Sequence, residues 1–573
     1  MLRLFYLLFV IVCVVPTLPG LLGVTVAAFG YVPPVGLTQF SWHGFHAIAE
    51  WHGVGQAIGL TLFSTLASTY LACFLCFIIL QAAWNSRYWT TIERCLSPLL
   101  AMPHVAFAIG FAFLFDPTGL GARLLHAFVS QELGYVSDDM SWLVNDAHAL
   151  GLIIMLTLKE LPFLLLMSIP LLKQIPLEKM HKVGASLGYQ PSQFWWKCIL
   201  PQWLVKLRFA LFAVLAYGIS VVDVAQILGP TNPPTFAVLV WQWFKEPDLA
   251  LLPRAAAGAV ILFALATCVL VLALLIERGI TQGWRQWQFS GRFAITLPGQ
   301  SLFLVVFAFT LCLLPLLGVW SVAQRWRFPD LLPTQYSLRF WQQEWQALTE
   351  ALQPTLAIAL ISATLALLLA ILAHEYRLRY RLAVPSYLLV LPMLLPQLSI
   401  LFGLQVMTLI IDHGSYLFWV CWSHLFFVFP LVYLALDGPW RSFNPNFTCV
   451  TLSLGKSPWQ AWVQVKLPIL FPAIAFAWAV GLSASFAQYL PTLILGAGRI
   501  TTLTTEAVAL SSGFDRRVTA IYALWQALLP WLFFSLAMLI GRLPITLKRG
   551  LTRLSGVRFS GTRIDWKWQL TRS

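Results

Sequence analysis

Twelve long apolar stretches, almost free of charge, recur along this chain of 573 residues, and no other feature restricts its fold as strongly. A helix needs about 20 predominantly apolar residues to cross about 30 Å of hydrocarbon. The first six stretches run roughly 4 to 29, 54 to 80, 97 to 115, 148 to 171, 206 to 228 and 255 to 276. The second six run roughly 297 to 320, 353 to 374, 385 to 411, 415 to 436, 470 to 491 and 519 to 541. Only 10% of the residues are charged, against about 25% in a soluble globular protein. A water-soluble enzyme is therefore excluded. The expected architecture is an all-α membrane protein of about twelve transmembrane helices, with lipid as its principal surroundings and no role for nucleic acid.

The stretch after Arg3 exceeds the 7 to 15 residues of a signal-peptide core, so it is read as a retained span. With the amino terminus cytoplasmic, about 26 of the 36 Lys and Arg fall on the cytoplasmic side, which places both termini there. The basic tail, 546 to 573, would then lie against the anionic inner leaflet. The nine cysteines fall in apolar runs or on the cytoplasmic side and imply no disulfide. The pair Cys73 and Cys76 belongs to an ordinary lipid-embedded helix.

The sequence also repeats itself. Residues 182 to 201 (KVGASLGYQPSQFWWKCILP) and 449 to 468 (CVTLSLGKSPWQAWVQVKLP) superpose at an offset of 267 positions. The match pairs Ser186-Leu187-Gly188 with Ser453-Leu454-Gly455, Trp195 with Trp462, and Leu200-Pro201 with Leu467-Pro468. Upstream, Met102-Pro103-His104 and Gly110 match Leu395-Pro396-Gln397 and Gly403 at an offset of 293. The 26 extra residues of the first half belong in an outer loop of about 116 to 147, which holds Asp116, Glu132, Asp138, Asp139 and Asp146. Six spans return a chain to its starting side, so the halves 1 to 290 and 291 to 545 are parallel repeats about an axis along the membrane normal. The matching loops, 172 to 205 and 437 to 469, then share the cytoplasmic face.

Each loop reads as a short helix, a Gly that permits a bend, and a second helical stretch closing on Leu-Pro. The expectation is a helix lying across the membrane face and presenting Leu187, Phe194, Trp195, Leu454, Trp459 and Trp462 to a partner groove.

Here the residues resemble a known family. Gly188 through Pro201 and Gly455 through Pro468 reproduce the Gly, the Pro thirteen positions on, and the penultimate Leu of the "EAA" loop of permease subunits in binding-protein-dependent ABC importers. Two such loops in one chain resemble the fused permeases of the ferric-iron and thiamine branch. The segments LKELPF (158 to 163) and SVVDVAQILGPTNPP (220 to 234) are most similar to its YnjC-type subgroup. The resemblance implies the type I (MetI-like) importer fold in a bacterial inner membrane. It also implies two copies of a cytoplasmic ATPase that carries ATP and Mg, a periplasmic binding protein, and docking through the loop residues named above. The family's Glu is replaced by Lys182 and Cys449 and its Ala-Ala by Val183-Gly184 and Val450-Thr451, so coupling should rest on shape more than on an ion pair.

Ionisable groups inside spans are costly and count as functional candidates. Lys159 and Glu160 lie in mid-span; they point about 100° apart on a helix and cannot share one partner easily. Asp223 falls in the fifth span, and the repeat places Leu490 opposite it. His104 and Gln397 follow equivalent prolines, as pore-lining residues or as interhelical hydrogen-bond partners. These five are the candidates for the translocation path, with structural ion pairing as the alternative for Lys159 and Glu160. His43, His46 and His52 match no strong metal-ligand spacing. Gly455-Lys456-Ser457 lacks the earlier Gly of a phosphate-binding loop, where Val450 stands. No nucleotide cradle or catalytic cluster is present in the sequence, so the chain is expected to be a permease without a cofactor of its own. An ion-driven transporter with parallel repeats is the competing class, and a membrane-embedded enzyme a third.

Overall fold

The computed structural model describes residues 2–84, 86–133, 143–283, 285–289, 294–380, 386–389, 391–411, 414–513 and 515–554. Eleven helices in it are long and apolar enough to cross a membrane, and Gln397–Thr408 adds a shorter apolar helix. Eleven of the twelve predicted spans are thus met by helices long enough to cross, and the shorter helix stands at the place of the ninth. The first six are Tyr6–Ala28, Val54–Ala83, His104–Ala127, Leu150–Lys173, Pro191–Ser220 and Leu249–Gly283. The seventh, eighth, tenth, eleventh and twelfth are Gly299–Val322, Arg339–Tyr380, Tyr416–Ser442, Pro458–Phe486 and Arg516–Gly541. Among the described residues, the only strands form a short antiparallel pair, Ala323–Arg325 with Gln335–Tyr336.

Several expected boundaries move for reasons of backbone chemistry. The stretch 97 to 115 is broken, because Trp89–Ala101 ends before an extended Pro103 and a new helix starts at His104. The second repeat breaks likewise, with Leu391–Leu394 ending before Pro396 and a helix starting at Gln397. Proline lacks an N–H and disfavours helical geometry in the residue before it. The fifth stretch does not continue to 228. It stops at Ser220, where Val221 turns extended, and a separate helix occupies Asp223–Leu228. The equivalent break separates Phe486 from Leu490–Leu495. The 26 extra residues fall where expected, largely as the helix Leu120–Leu133. Asp138 and Asp139, and the basic tail from 555 onward, lie outside the described residues.

The repeat extends to single hydrogen bonds. Thr61 Oγ1 accepts from the Phe236 N–H at 2.8 Å, and Thr355 Oγ1 accepts from the Leu503 N–H at 2.9 Å. The halves are also exchanged at their edges. The first span packs on the eighth, ninth, tenth and sixth spans, and the seventh packs on the second, third and twelfth. Each repeat thus lends its first span to the other. Small residues permit close approach where lipid supplies no hydrophobic drive between helices: Gly20 and Gly23 cross Gly403, where a Cβ on Gly23 would stand 2.7 Å from the Gly403 carbonyl oxygen. At the matching crossing, Gly110 receives Leu313.

The end of the bundle opposite the two loops is tied by arginines. Arg516 pairs with Asp116. Arg123 is buried and donates to the carbonyls of Arg327 at 2.7 Å and Asp330 at 2.6 Å. Asp146 caps the fourth span by accepting from Leu150 N at 2.6 Å and Gly151 N at 3.0 Å.

Candidate functional site

Two places concentrate the predicted residues: the paired loops and the centre of the bundle. In the first loop, the helix Leu177–Ser186 ends at Gly188, whose φ is +78°. In the second, Asn446–Ser453 ends at Gly455, also at +78°. A left-handed residue just past a helix terminus suits glycine, which has no Cβ penalty. Both ends are closed alike, with Tyr189 N donating to Gly184 O at 3.0 Å and Lys456 N to Thr451 O at 3.3 Å. The following helices start with capping boxes, Gln190 with Gln193 and Ser457 with Gln460, and Pro191 and Pro458 occupy the tolerated first-turn position. Six spans separate the loops, so both emerge on one face of the bundle.

The tip residues Ser186, Leu187, Gly188, Ser453, Leu454 and Gly455 are exposed. Leu187 keeps 65% of its surface and Leu454 75%, and Trp459 keeps 70%. The remaining predicted docking residues lie elsewhere. Phe194 and Trp195 are buried, Trp195 with its ring 6.0 Å from that of Phe77, and Trp462 is half-buried. The expectation that Phe194 and Trp195 face a partner is therefore not met. Leu200-Pro201 and Leu467-Pro468 do not end a separate segment either. They sit in continuous helices, each just after a π turn, Trp195–Ile199 and Trp462–Lys466. The carbonyl four residues before each proline lies in that wide turn, which relieves the clash a proline ring causes in a regular helix.

At the centre, Lys159 and Glu160 diverge. The Lys159 ammonium donates to Leu99 O at 3.0 Å. Its normal acceptor role is vacant because the residue four positions on is Pro103, so a buried lysine serves an orphaned carbonyl at a helix end. Glu160 finds a different partner, 3.2 Å from His104 Nε2. The His104 ring lies 4.8 Å from that of Tyr217. Asp223, the first residue of its short helix and not part of the fifth span, is within electrostatic range of His104, Tyr217 and Tyr489. Tyr489, from the second repeat, donates to Gln226 Oε1 at 3.2 Å across the junction. Gln397 is half-buried at the start of the ninth span. His104 retains 29% of its side-chain surface inside the bundle.

Four of the five candidates are thus accounted for around one junction: His104 and Glu160 pair, Asp223 is within electrostatic range of His104, and Lys159 bonds the Leu99 carbonyl instead. Tyr217, Gln226 and Tyr489 were not anticipated from sequence. Tyr489 immediately precedes Leu490, the partner of Asp223 in the repeat, and that alignment is the signal that could have found it. The wall is one-sided: at the repeat offset of 267, the positions matching Glu160, Tyr217, Asp223 and Gln226 are Phe427, Ala484, Leu490 and Leu493. His424, buried in the tenth span, is satisfied by Ser485 and Thr492, each at 2.8 Å. All nine cysteines are free.

A duplicated multi-span bundle with two matching surface bends and a polar junction fits a transporter permease, and comparison of the sequence with known proteins shows that class. No family model matches the chain. It is 32% identical over 531 residues, 91% of this chain and 93% of the relative, to the inner membrane ABC transporter permease protein YnjC of Escherichia coli (strain K12). Over 96 residues, 17% of the chain and 34% of the relative, it is 29% identical to the spermidine/putrescine transport system permease protein PotC homolog of Mycoplasma genitalium. The chain belongs to the ABC transporter permease family.

Proposed function

We propose that this permease serves an ATP-driven importer of the bacterial inner membrane and works by alternating access. Two copies of a cytoplasmic ATPase, which carry ATP and Mg, grip the two loops from the face that also holds both termini. A periplasmic binding protein delivers a small solute to the opposite face. When ATP draws the ATPase pair together, the two halves rock about the central junction and open outward; hydrolysis resets them. A partner shifts such an equilibrium only through differential affinity for its two states, and exposed apolar tips that move with the bundle supply that difference.

The observation that carries this reading is the duplication of one bend geometry, Gly188 and Gly455 at the same φ, with Leu187 and Leu454 exposed at each tip. An ion-driven transporter has no need of two such handles. Glu160, His104, Asp223 and Gln397 are proposed to line the path, with Tyr217 and Tyr489 beside them, and Lys159 to hold the bundle together. The repeats proposed as the moving units are 1 to 290 and 291 to 545.

The test replaces Gly188 and Gly455 with valine, which is strained at positive φ. Association with the ATPase, measured by co-purification, is expected to fall by at least about tenfold, equivalent to about 1.4 kcal/mol. Retained association and uptake in the double variant would remove the assignment.

A further inference from the structure

The two loops are fastened to their bundles by different chemistry. In the second repeat, Glu375 stands near the loop-side end of the eighth span and receives three donors at Oε1: Trp440 Nε1 at 3.0 Å, Trp462 Nε1 at 3.2 Å and Lys466 Nζ at 2.6 Å. Trp462 and Lys466 are the first and last residues of the π turn. Lys466 is itself nearly buried, with its ammonium 5.7 Å from the Trp440 ring centre and 5.3 Å from that of Phe443. Two residues along, Arg377 holds Asp437 of the tenth span at 2.6 Å. One carboxylate therefore joins the eighth span, the tenth span and both ends of the π turn.

In the first repeat, the matching positions at the end of the second span are Gln81 and Ala82, neither of them charged. There the π turn rests on rings: Phe77 lies 6.0 Å from Trp195, 5.0 Å from Trp196 and 5.5 Å from Trp203. Trp196 Nε1 and Gln81 Nε2 both donate to Ile295 O, in the connection to the second repeat. Lys197 donates to Trp287 O in the same connection.

We infer that Glu375 is a positioning residue that locks the second loop to the eighth and tenth spans, so that a displacement of that loop is delivered directly to the helices of the second repeat. Charge-assisted hydrogen bonds are directional and about twice as strong as neutral ones, and removing one partner of a buried pair leaves the other charge uncompensated. The first π turn instead donates from Trp196 and Lys197 to carbonyls of the connection between the repeats, so its hydrogen bonds tie it there and not to the end of the second span. The two loops are alike in outline and unlike in what they are fastened to. The inference rests on the reading of the loops as ATPase docking surfaces only for its consequence; the lock itself is a property of the chain alone.

Hydrogen exchange of the full chain in nanodiscs tests the lock. In Glu375→Ala, amides of residues 446 to 466 are expected to exchange at least about tenfold faster, with 177 to 199 unchanged. Glu375→Asp, which keeps a carboxylate to accept from the two indoles and from Lys466, should retain part of the protection that Glu375→Ala loses. Unchanged exchange in 446 to 466, or equal loosening of both loops as in general destabilisation, would overturn the inference. In the complex with its ATPase, a non-hydrolysable ATP analogue should alter exchange in residues 339 to 380 of the wild type and not of Glu375→Gln; an equal response in both would also overturn it. Failure of the ATPase to bind the wild-type chain would count against the docking reading, and the exchange of the isolated chain would still decide the lock.

Discussion

Lys159 and Glu160 are neighbours in the chain and part company in space, because one helical residue turns a side chain by about 100°. Lys159 serves the Leu99 carbonyl that Pro103 leaves open, and Glu160 meets His104. Lys159→Met should therefore cost about 1–3 kcal/mol, the penalty of an unsatisfied buried group, read as a lowered unfolding temperature in detergent. Glu160→Gln keeps a hydrogen-bonding group beside His104 and should unfold close to the wild type, while solute uptake falls. The divergence of this pair was legible from helical geometry alone. Their separate partners were not, since a partner from another span is set by packing. Glycine at a helix crossing gives a second contrast. Gly403→Ala would drive a methyl into the Gly20 carbonyl and should cost about 1–3 kcal/mol as overpacking. Gly318 has open space around its Cβ position, so Gly318→Ala should be neutral or stabilising by up to about 1 kcal/mol.

At the scale of elements, the loops show what a repeated motif reveals and what it hides. The glycine bend, the shared face and the exposed leucines follow from residues 186 to 188 and 453 to 455. The π turns before Pro201 and Pro468 do not, because Leu-Pro in a sequence reads equally as the start of a helix or as a wide turn inside one. That ambiguity is why Trp195 was expected outside and is found packed on Phe77. Leu187→Ser should leave unfolding unchanged and weaken ATPase association. Trp195→Ala should cost about 3–5 kcal/mol, as for other large buried side chains, measured by thermal unfolding of the chain without its partner. Asp223 is a second instance: the apolar run to 228 hid the break at Val221, which places the carboxylate at a helix start facing the junction.

For the whole molecule, the positions of eleven of the twelve predicted spans and the internal repeat were readable from hydropathy and self-similarity, and the exchange of first spans between repeats was not. Nothing in an apolar sequence tells a lipid-facing helix which half to join; the Gly20, Gly23 and Gly403 crossing decides it by permitting closer approach than larger residues allow. If the halves rock as proposed, the exchange makes each carry the first span of the other, across a junction where Tyr489 of the second repeat bonds Gln226 of the first. The most direct measurement of the central claim is photo-crosslinking from residues 187 and 454 in the assembled complex in native membranes. The account predicts adducts from both positions to the cytoplasmic ATPase, each loop to one of its two copies. Adducts to lipid alone, or labelling of either position from the periplasm, would contradict it.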